Sequence, residues 1–205
     1  MTMTIPQSAG PAIEAHGLRK VFGQIAAVDG IDLAFPAGRI YGLLGPNGSG
    51  KTTLIRLMAG LAVPTAGSVS VLGTRVPSRP LLARIGYMTQ SDGLYAELSV
   101  WENLSFFAAM SGQQDPSAIA EVLDIVELGD RRGTPILELS GGMRRRLSLA
   151  CALVHRPPIV FLDEPTVGVD PVLRYQLWDH FRRLATAGTT LVVSSHVMDE
   201  GTSER

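Results

Sequence analysis

Gly45-Pro46-Asn47-Gly48-Ser49-Gly50-Lys51-Thr52 sets a glycine, four residues, a second glycine, a lysine and a hydroxyl in the order that cradles a polyphosphate. Its glycines let backbone N–H groups approach phosphate oxygens, Lys51 reaches the β- and γ-phosphates, and the Thr52 hydroxyl suits Mg2+. Further along, the apolar run Ile159-Val160-Phe161-Leu162 ends in Asp163-Glu164. Acids at the end of a core strand cost desolvation energy unless a cation or a proton transfer needs them. Asp163 therefore suits the Mg2+ shell, and Glu164 suits a base that polarises an attacking water. Two more apolar strands deliver polar side chains: Gln90 closes 85–90, placed to reach Mg2+ or a water, and His196 follows 189–194. Phe22, beside a turn, offers a ring that can stack on a nucleobase or simply pack.

These residues need a scaffold that brings several strand ends to one crevice. Tyr41-Gly42-Leu43-Leu44 reads as a buried strand leading into the glycine-rich loop, and Thr53 opens helical apolar spacing after it. A helix N-terminus then adds its positive dipole end to the anion site. Before the loop, 13–22 and 26–35 alternate partly and flank Gly23-Gln24, which predicts an antiparallel hairpin or two neighbouring strands. After it come a short strand over 68–72, a short helix over 79–84 and a strand over 85–90. From Ser99 the pattern turns helical. Ser99 with Glu102 forms a capping box, Asp115-Pro116 starts a second helix reaching 127, and a third runs from Gly141-Gly142 through His155. Residues 92–156 thus read as a helical insertion. The run Arg144-Arg145-Arg146 reads as a solvated face rather than a nucleic-acid patch. A helix over 171–185, opened by Asp170-Pro171, and the strand 189–194 complete a mainly parallel sheet.

With 205 residues, 45% of them hydrophobic, the chain can bury a large core, and residues 1–11 read as a mobile tail ahead of one domain over 12–205. A net charge of -1 supplies no global attraction for nucleic acid or an anionic membrane. The lone cysteine, Cys151, excludes an intrachain disulfide, reads as a buried small hydrophobe and fits a reducing cytoplasm. No apolar run is long enough to span a membrane, so a membrane role must run through a partner.

Taken together, the residues resemble the nucleotide-binding subunit of ATP-binding cassette (ABC) transporters. Leu139-Ser140-Gly141-Gly142-Met143 is similar to that family's LSGGQ signature and stands ahead of Asp163-Glu164 as in the family, after Gln90 and before Asp170 and His196. The likeness covers 22–200 and implies an α/β fold: a P-loop NTPase core with a mainly parallel sheet, an N-terminal antiparallel β subdomain and an inserted helical subdomain. It implies ATP contacts from Phe22 on the base, from the loop residues Gly45, Pro46, Asn47, Gly48, Ser49, Gly50, Lys51, Thr52 and Thr53, and from Ser140, Gly141 and Gly142 of a second copy. Mg2+ falls to Thr52, Gln90 and Asp163, catalysis to Glu164, His196, Gln90 and Lys51, and communication across the dimer to Asp170. The implied partners are a second copy or a related cassette and an integral membrane permease, with no nucleic acid; the implied location is the cytoplasmic face of the membrane. The stretch 87–104 and the stretch 149–157 are similar to ATPases of drug, lipid or polysaccharide exporters, and the Leu94-Tyr95 region would receive a permease helix.

Three departures stand out: Met143 replaces the signature glutamine, Val167 stands where serine is frequent, and the family's domain continues past the histidine whereas Arg205 is the last residue here. Two other classes fit some of the same residues: a soluble ABC ATPase acting on nucleic acid or ribosomes, and an inactive truncated remnant.

Overall fold

The computed structural model describes residues 10–90, 93–113 and 115–195. β1 (Ile13–Phe22) and β2 (Ile25–Phe35) form the expected hairpin, with Gly23 at φ 59 in its turn. Only glycine adopts that left-handed conformation at little cost. β4 (Ala66–Val71) joins the other edge of β1, and the two-residue β5 (Thr74–Arg75) follows, giving an antiparallel sheet ordered β2-β1-β4-β5.

The second sheet is parallel throughout and ordered β3-β8-β7-β6, from β3 (Ile40–Leu44), β8 (Thr190–Ser195), β7 (Ile159–Asp163) and β6 (Ile85–Met88). Sequential numbering is broken because parallel neighbours need long crossovers, which here are helical. α1 (Lys51–Met58) follows β3, and the four-residue α2 (Arg79–Leu82) precedes β6. Between β6 and β7 the chain forms α3 (Val100–Met110), α4 (Pro116–Ile125) and α5 (Gly141–Leu153); α6 (Pro171–Thr186) links β7 to β8.

All five residues of β7 are buried because both faces of the sheet are covered. Val160 and Leu162 enter a core shared with α3, α4, α5 and α6, whereas Ile159 and Phe161 enter one shared with α1 and the antiparallel sheet. That alternation explains an uninterrupted apolar run in the sequence. Phe161 is fully buried, and truncating such a side chain costs about 3–5 kcal/mol.

The helix starts follow their caps. Ser99 Oγ accepts from Glu102 N–H, and the Ser99 N–H and hydroxyl donate to the Glu102 carboxylate, which holds its pKa below the usual range. Asp115 caps α4 by accepting from Ser117 N–H. Other boundaries move. α1 begins at Lys51 rather than 53, β4 at Ala66 rather than 68, and β6 stops at Met88, so Gln90 lies two residues beyond the strand that was expected to carry it. The β6–β7 ladder ends at the Met88–Leu162 pair, where the two chains separate.

Candidate functional site

Gly50 sits at φ 90 as the N-cap of α1, and a Cβ there would lie 2.1 Å from the Ala27 carbonyl oxygen. Contact with β2, as much as room for phosphate, requires this glycine. Lys51 Nζ donates to the carbonyls of Gly45 (2.6 Å) and Pro46 (2.9 Å), and Ser49 N–H donates to Pro46 O, closing the loop on itself. No side chain caps α1, so its first N–H groups remain available to an anion at the positive end of the helix.

Glu164 and Asp163 stand opposite at the end of β7. Asp163 is 1% exposed; the Ser194 hydroxyl of β8 donates to its Oδ1 and accepts from Glu164 N–H at 3.0 Å. Asp163 Oδ2 is buried without a hydrogen-bond partner among the described residues. Glu164 has φ 54, a left-handed conformation that costs a non-glycine residue about 1–3 kcal/mol and concentrates at functional sites.

The structure brings the two halves together. Asn47, Gly48, Gly50, Lys51, Thr52 and Thr53 share a cleft of about 730 Å³ with Gln90, Glu164, Gly141 and Gly142. Ala27, Arg145, Val167 and Gly168, none assigned to the site from sequence, complete its walls. The other expected residues lie beside it. Gly45, Pro46 and Ser49 build the loop rather than face the cleft, and Asp163 is buried behind its floor. Ser140 Oγ caps α5 by accepting from Met143 N–H at 3.2 Å, and Asp170 Oδ1 caps α6 through Leu173 N–H at 3.0 Å. Phe22 is 55% exposed at the hairpin end, with Lys20 Nζ 5.1 Å over its ring. His196 lies outside the described residues.

One expectation is overturned. The Arg144–146 run is not a solvated face. Arg145 is buried, and its guanidinium donates to the carbonyls of Thr89 (2.7 Å), Gln90 (2.8 Å), Asp163 and Glu164 (2.9 Å). Arg144 reaches back to Leu139 O and Arg146 to Val126 O. The signal that could have found Arg145 is its spacing: it falls one turn before Ser148 and Leu149, both buried, on a helix covered nearly all round. Met143 packs partly buried against the core, so the departure from glutamine has an apolar use.

A second concavity, of about 600 Å³, lies between β6 and α3 and is lined by Leu61, Leu82, Tyr87, Phe107, Met110 and Cys151 among others. Leu61, Leu82 and Met110 are exposed there, and Tyr95 stacks edge-on against Phe106 at 4.6 Å nearby. Burial pushes the Cys151 thiol well above its ordinary range, as expected for a structural cysteine. Among the described residues no helix is long and apolar enough to cross a membrane.

Comparison with known proteins agrees with this fold. Residues 28–167 match the family model described as ABC transporter. Nod factor export ATP-binding protein I of Sinorhizobium fredii is 42% identical over 194 residues, covering 92% of this chain and 57% of that protein. The probable multidrug ABC transporter ATP-binding protein YbhF of Escherichia coli is 42% identical over 193 residues, with 92% and 33% covered. The solved dimeric structure of MJ0796, a bacterial ABC transporter cassette, aligns with a TM-score of 0.86 at 25% identity over 92% of this chain and 89% of that one. The chain spans a little over half the length of the Nod factor export relatives it matches.

Proposed function

Since the chain belongs to the ABC transporter family, we propose that it binds and hydrolyses ATP to power a separate membrane permease, as the ATPase subunit of an exporter. The observation that carries this reading is the shared cleft, in which Lys51 and Thr52 of the loop face Gln90 and Glu164 beyond the ends of β6 and β7.

The triphosphate would lie across the N–H groups of residues 47–53 at the start of α1, with Lys51 exchanging loop carbonyls for phosphate oxygens. Phe22 would stack on the adenine with the ring face that Lys20 leaves open. Asp163 Oδ2, buried and unpartnered, and the Thr52 hydroxyl fit Mg2+, with Gln90 beside them. Among the described residues no cluster of three His, Cys, Asp or Glu side chains could hold a metal, and Mg2+ commonly takes one or two carboxylates with phosphate oxygens supplying the rest. Bound there, Mg2+ would spread the charge of the β- and γ-phosphates. Glu164 accepts a proton from the attacking water as its oxygen bonds to the γ-phosphorus; the bond to the β–γ bridging oxygen breaks, leaving ADP and phosphate. The His196 side chain is assigned to sensing the γ-phosphate.

Ser140, Gly141 and Gly142 of a second copy would close over that phosphate, with Asp170 signalling across the interface. The dimeric cassette among the structural neighbours supports this arrangement, which gives two sites by two-fold symmetry. Export as the direction rests on the relatives, named for Nod factor export and multidrug transport. The apolar concavity beside Tyr87, Phe107 and Met110 suits a permease helix, which would hold the subunit at the cytoplasmic membrane face.

The test is Mg-ATP binding and hydrolysis by the chain with and without its neighbouring membrane protein. Lys51→Ala should weaken ATP binding about tenfold or more, and Glu164→Gln should bind ATP but turn it over at least about a hundredfold more slowly. Unchanged affinity in the first or full turnover in the second removes the assignment. Failure to co-purify with the membrane protein removes the transport reading alone.

A further inference from the structure

The guanidinium of Arg145 occupies the point where the β6–β7 ladder ends. Past Met88 and Leu162 the pairing of β6 with β7 stops, although β7 stays paired with β8 as far as Asp163–Ser194, and the carbonyls of residues 89, 90, 163 and 164 are no longer bridged by the β6–β7 ladder. Arg145 reaches all four: Nη1 bridges Thr89 O and Gln90 O, and Nη2 bridges Asp163 O and Glu164 O. The φ and ψ of Glu164 are the rotations between the two peptide planes that flank its Cα. Nη2 holds a carbonyl in each plane, and Ser194 Oγ holds the N–H of the first, so both rotations of a residue at φ 54 are fixed from outside. The same side chain leaves α5 one turn after Gly141, on the helix whose first residues border the cleft.

We propose that Arg145 is a positioning residue for hydrolysis: it holds Glu164 in its left-handed conformation and ties Glu164 and Gln90 to the N-terminal turn of α5. A shift of that turn when the signature glycines meet a nucleotide is carried through one planar fork to the carboxylate that takes the proton. The fork matters because an ammonium at the same place offers donors without the fixed in-plane spacing that two pairs of carbonyls require. The inference rests on the reading of Glu164 as the base.

The experiment compares the full chain with Arg145→Met, Arg145→Lys, Glu164→Gln and the double variant Arg145→Lys/Glu164→Gln, measuring ATP affinity, kcat and the melting transition. Misplacing a reacting group by about an ångström costs on the order of a hundredfold in rate. Arg145→Lys should therefore lower kcat about 10- to 100-fold while ATP affinity stays within about threefold, and Arg145→Met should lower it further. In the Glu164→Gln background, Arg145→Lys should lower the residual turnover by a clearly smaller factor than it lowers kcat in the unsubstituted chain, because the base it positions is gone and only the Gln90 side of the fork remains. The proposal is overturned if Arg145→Lys keeps its kcat, if affinity and kcat fall together, or if the two substitutions multiply. If Arg145→Met does not fold, Arg145→Lys decides alone. Full turnover in Glu164→Gln overturns the underlying assignment of the base instead, and is recognised by that variant by itself.

Discussion

Ser194→Ala removes a single oxygen at the junction of β7 and β8, and the structure fixes what that costs. The residue is fully buried. Its hydroxyl donates to the Asp163 carboxylate and accepts from Glu164 N–H at 3.0 Å, so the substitution orphans a buried carboxylate oxygen and a part-buried amide together. A hydrogen bond to a charged group contributes about 1.5–3 kcal/mol and an unsatisfied buried donor costs about 1–3 kcal/mol. Some of each is recovered, because alanine nearly matches serine in volume and leaves no cavity for the surroundings to fill. A net loss of about 2–4 kcal/mol follows, which for a domain of this size lowers Tm by roughly 5–15 °C. Urea unfolding of the nucleotide-free chain reads it as a lower midpoint at unchanged slope. A loss below about 0.5 kcal/mol, the usual range for surface substitutions, would refute the bridging role of the hydroxyl.

Three other variants test separate parts of the structure. Gly50→Ala combines a positive φ with a Cβ 2.1 Å from Ala27 O, whereas Gly48→Ala has φ 80 but nothing within 4 Å. Both should lose about 1–3 kcal/mol from backbone strain, and Gly50→Ala should lose measurably more because the hairpin or the loop must also move; equal melting temperatures in the two nucleotide-free variants would remove the contact with β2 as the reason for the glycine. Burial depresses the pKa of His155, partly offset by the Ile85 backbone, and burial with the Arg183 charge depresses that of His180. The unfolded chain then takes up protons that the folded chain refuses, so stability is highest above the ordinary histidine pKa of 6.5 and falls as pH drops through it toward the folded values. Tm measured from pH 7.5 to 5 should decline, and His155→Leu should flatten that decline; an unchanged slope in the variant would show that His155 is not the group responsible.

How much of this was legible in sequence depends on whether a residue's partner leaves a mark in the chain. The loop at Gly45–Thr52 was legible because its job needs glycine, lysine and hydroxyl at fixed offsets. β7 was legible because two cores, one on each face, demand an unbroken apolar run. The caps at Ser99 and Asp115 were legible because each side chain serves the helix it starts. Boundaries were less so: β6 looks apolar as far as its approach to Gln90, but a strand ends where its neighbour leaves, and β7 leaves at Leu162.

The residues that hold the site together were the ones missed, and for one reason. Arg145 and Ser194 bind backbone groups or a distant strand end, 30 or 31 residues away for Ser194 and 55 or 56 for the Gln90 and Thr89 carbonyls on Arg145. Every residue has a carbonyl, so a carbonyl acceptor imprints no residue type, and an arginine between two other arginines reads as surface charge. Burial reverses that reading, since a guanidinium removed from water must find acceptors for its five donors, and an uncapped strand end offers several together. A charged side chain on the buried stripe of a helix that starts at a nucleotide-facing turn is therefore the pattern to seek, and here it leads from Gly141 to Glu164 in one step.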